Sequence, residues 1–401
     1  MGDYIMVGCD MSDRSLMLQV ACNRDAAQKR SFGNSPEGRR KMLEFLSAEV
    51  KRRPLAQTVF AYEAGPHGFG LYDELTSAGV RAHVLAPRLL PQSAKSRKDK
   101  TDEKDALRIL EVLRGHLLAG NRLPTVWVPD PTTRDDREVV RARLDARRKA
   151  RRVGTQIRML LKRSAARKPD GIGKGWTLGY RAWLRGLARD PSTLGSGARI
   201  ALSSLLRQLE VHEEEIQTLD QAVADLAAAE RYRARVEQLE AESGVGVLTA
   251  MVFLTEMGDL SRFSNRRQVA AYLGIVASKY LTGSAQNRYG HITRQGSSRV
   301  RAVLCQAAWR RVKSDPAERV RYERIIAGQP NRAKRALVAC MRHLAIRLWH
   351  RARSAEVKTP PPVPQRGKRH FALPARPRKY ERPPPAHAST EKRRRAVQRS
   401  R

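Results

Sequence analysis

Four carboxylates carry the chemistry that can be read from this chain of 401 residues. Asp10 ends one apolar run, Val7-Gly8-Cys9-Asp10-Met11-Ser12, and Glu63 ends another, Phe60-Ala61-Tyr62-Glu63-Ala64-Gly65. An acid at a strand end projects from the sheet edge, not from its buried middle. If the two strands are neighbours, the side chains converge. Asp102 and Asp105, in Lys100-Thr101-Asp102-Glu103-Lys104-Asp105-Ala106, lie three apart at a helix start and share a face. Singly, each acid has an ordinary use as a turn former or helix cap. Together they would repel strongly unless hard cations lay between them. Mg²⁺ fits, because it takes oxygen ligands and is commonly held by one or two carboxylates plus substrate phosphates. Two such ions roughly 4 Å apart can activate an attacking oxygen and stabilise a leaving one. Asp13 falls in a connecting turn and Glu103 points about 100° away from Asp102, so neither joins the set.

The elements that must position these acids follow from the local pattern. Tyr4 to Cys9 and Leu16 to Ala21 read as strands joined by a short polar turn, with a third strand around Ser31 and Phe32. Ser35 before Pro36 is a helix start, with Met42, Leu43, Phe45 and Leu46 as its apolar face. A strand from Thr58 to Tyr62, a helix from about Phe69 to Ser77, a strand from Arg81 to Leu85 and a helix from near Thr101 complete the order βββαβαβα. This predicts an α/β layer with a mixed sheet, its first three strands antiparallel.

Charge narrows the partners. Against 40 Asp and Glu stand 78 Lys and Arg, a formal charge of +38, and the pI is near 11. Such self-repulsion calls for a polyanion, and nucleic acid is the natural one. A metabolic enzyme for acidic substrates is disfavoured. No apolar run approaches the ~18 residues of a membrane span, and the N-terminus lacks a signal-peptide layout, so no membrane partner and a cytoplasmic location are expected. Cys9, Cys22, Cys305 and Cys340 form no CxxC pair and are expected as reduced thiols.

From Arg134 to about Lys168 one long basic helix is predicted; residues 137–168 hold thirteen Lys or Arg and two acids. Arg147, Arg148, Arg151 and Arg152 on it are candidates for nucleic-acid contact. After a Gly-rich loop, Leu205, Leu209, His212, Ile216, Leu219, Val223 and Leu226 recur at 4,3,4,3 spacing. This heptad seam needs a partner, either the basic helix of the same chain or a helix of another protomer, and His212 reads as a register-setting residue in it. Next, Ser243-Gly244-Val245-Gly246 joins two helices in a helix-hairpin-helix-like turn, where Gly244 and Gly246 either present N–H groups to a phosphate or permit a tight corner. Residues 356–401, with nine prolines and fourteen Lys or Arg, read as a disordered basic tail. The expected domains are therefore a catalytic domain over 1–125, a basic-helix and coiled-coil region over 126–235, a mainly helical C-terminal domain over 236–355, and the tail over 356–401.

The acidic set and its surroundings, GCDMSDRS, YEAGPHG and KTDEKDA, resemble the DEDD transposases of the insertion sequence 110 (Piv/MooV) group. The likeness continues through SGVGVLTA, TEMGDLSRFSNRRQVAAYLGIV and GHITRQGSSRVRAVLCQAAW, so it covers roughly residues 1–350. The resemblance implies an RNase H-like (RuvC-like) catalytic domain, a coiled coil that assembles a homodimer or homotetramer, and a C-terminal transposase domain. It implies Mg²⁺ held by Asp10, Glu63, Asp102 and Asp105, DNA as substrate, and a structured noncoding RNA as guide. It also implies a C-terminal serine, within a Ser-Gly pair, that attacks DNA and carries it covalently.

At that serine the chain departs from the pattern. In GIVASKYLTGSAQNRYGHITRQG, Thr282 precedes Gly283 where the family has Ser-Gly, and Ser284 follows two residues later. Both hydroxyls are candidates, Thr282 by position and Ser284 by chemistry, and either needs activation by a metal or base. Arg288, His291, Arg294, Arg299 and Arg301 nearby are candidate phosphate clamps. The leading expectation is a DNA recombinase of an insertion sequence. Its rivals are a junction endonuclease using metal-activated water and a noncatalytic nucleic-acid-binding descendant.

Overall fold

The computed structural model describes residues 3–91, 101–173, 175–280 and 288–355, with backbone alone at 279, 280, 288 and 289. The chain forms two compact units, one ending at Val128 and the other beginning at Pro129.

The first unit is built on strands β1 (Tyr4–Met11), β2 (Ser15–Cys22), β3 (Gln28–Gly33), β4 (Gln57–Glu63) and β5 (Arg81–Leu85). Their order is β3-β2-β1-β4-β5, with β1–β2 and β2–β3 antiparallel and β1–β4 and β4–β5 parallel. The expected mixed sheet is therefore present, and its first and fourth strands are neighbours. Between the strands run α1 (Pro36–Arg52) and α2 (Gly70–Ser77), and after β5 comes α3 (Asp102–Ala119). Ser35 caps α1, accepting from the Gly38 N–H at 3.1 Å.

Strand pleating sends alternate side chains to opposite faces. Ile5, Val7, Cys9, Phe60 and Tyr62 pack with Met42 and Leu46 of α1 and Leu71 and Leu75 of α2. Met6, Val59 and Ala61 pack on the other face with Ile109, Leu110 and Leu113 of α3. Gly8 lets α3 settle there: a Cβ at this position would lie 2.4 Å from the Ala106 carbonyl oxygen and the Leu110 nitrogen. Helix and strand thus meet backbone to backbone.

Among its described residues the second unit is helical apart from one hairpin. Helix α4 (Pro131–Arg163) starts at Asp130, which accepts from the Thr133 N–H at 2.8 Å. It ends five residues before the expected Lys168. Ala165 takes φ +52°, and the Ala166 N–H returns to the Leu161 carbonyl, a closing pattern that satisfies the last carbonyls. After α5 (Leu178–Arg189), α6 (Ser196–Ala228) runs antiparallel along α4, with Ile157 near Leu202 at one end and Val140 near Val223 at the other. Of the two partners open to the heptad seam, α4 of the same chain lies against it: Leu209, Ile216 and Val223 are buried, while Leu205, His212, Leu219 and Leu226 stay half-exposed.

Beyond it come α7 (Arg233–Glu240), α8 (Val247–Met257), α9 (Arg266–Tyr272), the hairpin β6 (Ala277–Tyr280) and β7 (Arg288–Ile292), α10 (Ser298–Ser314), α11 (Pro316–Ile326) and α12 (Ala333–Ser354). Buried Arg137 ties α4 to the end of α8 by donating to the Thr255 and Glu256 carbonyls at 2.6 and 3.2 Å. The guanidinium there complements the negative end of that helix. Among the described residues no helix is long and apolar enough to cross a membrane. All four cysteines are free. The proline-rich tail lies outside the described residues.

Candidate catalytic site and nucleic-acid interface

The β1–β4 register pairs Gly8 with Ala61 and Cys9 with Tyr62, so Asp10 and Glu63 follow side by side at the ends of adjacent strands. Asp10 lies two residues beyond Gly8 and so shares the face that α3 covers. Across that face, Thr101 caps α3 through the Lys104 N–H at 3.4 Å, and Asp102, Glu103 and Asp105 occupy its first turn. Their charge complements the positive helix end. Asp105 is buried and Asp102 exposed.

One cation links the two elements. Arg108 Nη2 lies 2.6 Å from Glu63 Oε1 and 3.1 Å from Asp105 Oδ1, which places a guanidinium between the two carboxylates. Glu103 turns away to pair with Lys29 of β3, and Asp13 stays exposed in the β1–β2 turn, 3.6 Å from His67. Among the described residues no group of three or more Asp, Glu, His or Cys side chains is gathered closely enough to hold a metal ion. Thr282 and Ser284 lie outside the described residues.

The basic face of α4 is open to solvent. Arg147, Arg148, Arg151 and Arg152 are exposed, and Arg148 is paired with Asp145 at 3.2 Å. Arg147, Arg151 and Arg152 have no acidic partner among the described residues. Together with Arg299 and Arg310 of α10, Arg147, Arg148 and Arg151 line a cleft of about 620 Å³. Arg299 is half-buried and 3.5 Å from Asp145, while Arg294 and His291 are exposed. Arg288 opens β7, with only its backbone described. Arg301 departs from the expected phosphate clamp: its guanidinium donates to the Leu273 and Gly296 carbonyls at 3.2 and 2.6 Å, tying the α9 end to the turn before α10.

Gly244 and Gly246 separate in role. Gly244 has φ +84°, and a Cβ there would lie 2.6 Å from the Ala307 carbonyl oxygen, so it permits a tight corner against α10. Gly246 caps α8 with open space around its Cα.

Residues 7–165 match the DEDD transposase family of IS110, and residues 236–323 match the transposase family IS116/IS110/IS902. The Sinorhizobium fredii protein y4qE is 31% identical over 306 residues, which cover 76% of this chain and 70% of that protein. The transposase for insertion sequence element IS1533 of Leptospira borgpetersenii is 28% identical over 249 residues, 62% of this chain and 69% of that one. The chain belongs to the IS110 family of insertion-sequence transposases.

In this transposase the first match spans the four acids and all of α4, and the second spans Gly244 through α10. Two features of it escape sequence reading. Arg108 is one arginine among many, and only the i+3 spacing from Asp105 hints at its place. Glu242 is 2% exposed and bonded by Arg311, Arg347 and Arg351, with Arg347 Nη2 at 2.8 Å. Burial pushes its carboxyl up, but the hydrogen bonds from Arg347, Arg311 and Arg351 outweigh it and hold the group at about 2. Its partners lie 69 to 109 residues away, so no local pattern announces them.

Proposed function

We propose that this transposase is a Mg²⁺-dependent recombinase that cuts and rejoins the DNA strands of its insertion sequence, with an RNase H-like first unit and a Thr282 or Ser284 hydroxyl as nucleophile. The observation that carries the reading is the acidic corner. Strand pairing sets Asp10 beside Glu63, and Arg108 draws Glu63 and Asp105 onto one positive charge. The donors are all oxygen, the chemistry a hard cation takes, although as they stand the acids are not gathered closely enough to hold an ion and Arg108 lies between Glu63 and Asp105. Asp10, Glu63 and Asp105, with Asp102 at the exposed edge, would hold it. When bound, Mg²⁺ supplies Lewis-acid stabilisation of charge on phosphoryl oxygens.

The chain's own residues do the rest. The acids would hold the metal, the exposed arginines of α4 take phosphates without reading sequence, and the hydroxyl of Thr282 or Ser284 attacks phosphorus. The new phosphoester joins protein to DNA and releases one strand hydroxyl, which can later reverse the exchange. A noncoding RNA guide and a dimeric or tetrameric assembly belong to the same proposal. They rest on the family and on the half-exposed edge of the α6 seam.

The test is covalent capture on DNA carrying the element's own ends. Protein-linked DNA should form with Mg²⁺, disappear in Asp10→Ala, and disappear in either Thr282→Val or Ser284→Ala, which identifies the nucleophile. Free 5′-phosphate ends without a protein adduct would point to metal-activated water instead. Strand exchange that survives Asp10→Ala would overturn the metal-enzyme reading.

A further inference from the structure

A second cleft, of about 450 Å³, lies further along α4 and shares Arg147 and Arg151 with the first. Its size is within the usual range for small-molecule sites. Its walls differ along their length. Ala150 and Leu209 give it an apolar floor, and Trp176 forms an aromatic wall. Trp176 is half-buried, and Gly154 makes room for its ring: a Cβ on Gly154 would come within 2.9 Å of Trp176 Cζ2. Behind Trp176 stand Tyr180 and Trp183, ring centroids 5.4 and 5.5 Å apart in turn. At the same end Glu213 is held by Arg181, with Nη2 to Oε1 at 2.7 Å.

We propose that this cleft takes one unpaired nucleotide of a nucleic-acid strand, its base against Trp176 and its phosphates on Arg147 and Arg151. The proposal deepens the reading of the chain as acting on nucleic acid, and rests on it. The aromatic wall and the two arginines set the orientation. Glu213, its charge compensated by Arg181, can still accept from a base amino group, whereas Arg147 and Arg151 lack acidic partners among the described residues and favour the anionic backbone. Because these two arginines face both clefts, a backbone lying along α4 can turn one base into the Trp176 side and continue past Arg299 and Arg310 on the other. An aromatic wall can stack only a base whose face is free, so the ligand is a single strand, bulge or loop and not a regular duplex.

The test uses full-length protein and fluorescence anisotropy with a labelled single-stranded DNA, an RNA of the same sequence, and the DNA annealed to its complement. Trp176→Ala should weaken binding of at least one single strand about tenfold while changing duplex binding less than about twofold, and Trp176→Phe should retain most of the affinity. Loss confined to DNA or to RNA names the strand. Equal loss on duplex, or no loss on either single strand, overturns the proposal. If Trp176→Ala does not fold, iodinated uracil in the same oligonucleotides can be photocrosslinked to the wild-type protein. An adduct on Trp176 supports the cleft, and adducts confined to other segments overturn it. Anisotropy reads this cleft whether or not strand exchange depends on Asp10, so failure of the recombinase reading and failure of the cleft show separately.

Discussion

Two clusters of carboxylate and guanidinium lie in the two units, and they are built in different ways. At the β1–β4 edge, Glu63 and Asp105 share the single guanidinium of Arg108, and Asp10 stands beside Glu63. Around Glu242, one carboxylate takes three guanidiniums, from Arg311, Arg347 and Arg351. The first cluster lies at a strand edge, with Asp102 exposed beside it. In the second the carboxylate is buried and bonded on both oxygens. A buried, fully bonded charge ties elements into one register, and here it fastens the α7–α8 turn to α10 and α12. A carboxylate and an arginine therefore do different work according to their exposure and the elements they join.

The comparison can be broken first by removing one acid from each cluster. Asp105→Asn is expected to lower strand exchange on the order of 10³-fold while leaving the melting temperature nearly unchanged. Glu242→Ala is expected to do the reverse. It removes the carboxylate shared by Arg311, Arg347 and Arg351, of which Arg311 keeps Asp315 at 3.0 Å, and should cost about 3–5 kcal/mol in urea unfolding of the full chain. A large loss of stability in Asp105→Asn would make the first cluster structural too.

Acid should separate the clusters next. The Glu242 carboxyl lies at about 2 in the folded chain against an ordinary 4.5, so the folded state binds its proton less tightly than the unfolded one. Its contribution is complete above pH 4.5 and is lost as pH falls toward 2, on the order of 3 kcal/mol in all. Urea midpoints over that range should fall for the wild type and flatten in Glu242→Gln.

A smaller effect is expected from Gly8→Ala. The new methyl would meet the α3 backbone at 2.4 Å, so the helix must shift at a cost of about 1–3 kcal/mol, carrying Asp105 away from Asp10. Strand exchange should fall more than stability does. Smallest is Arg108→Gln, which removes the shared guanidinium. Binding of Mn²⁺ followed by its paramagnetic resonance should tighten severalfold as carboxylate charge is released. Weaker binding would show instead that Arg108 holds the acids in position.

Much of the first unit is legible in the chain because its signals are local. Alternating apolar runs mark the strands, Ser35 with Pro36 starts α1, and the i, i+3 pair Asp102 and Asp105 opens α3. The second unit is less so. The basic α4 and the α6 seam stand out by charge and period, yet α5, the β6–β7 hairpin and the division of the C-terminal helices carry no comparable local mark. Arg301 illustrates the limit: among so many arginines, nothing in its neighbourhood says that it bonds carbonyls 28 and 5 residues back.

What the chain by itself determined is its nucleic-acid-seeking charge, its element types and the four acids that could serve a metal, since each depends on composition or on short-range spacing. Only the tertiary structure decided that β1 and β4 are neighbours, that α4 covers the seam, and which arginines are spent on the fold and which stay open. Those outcomes rest on long-range packing and on the cost of leaving a buried charge unpaired, a cost settled by partners far away in sequence.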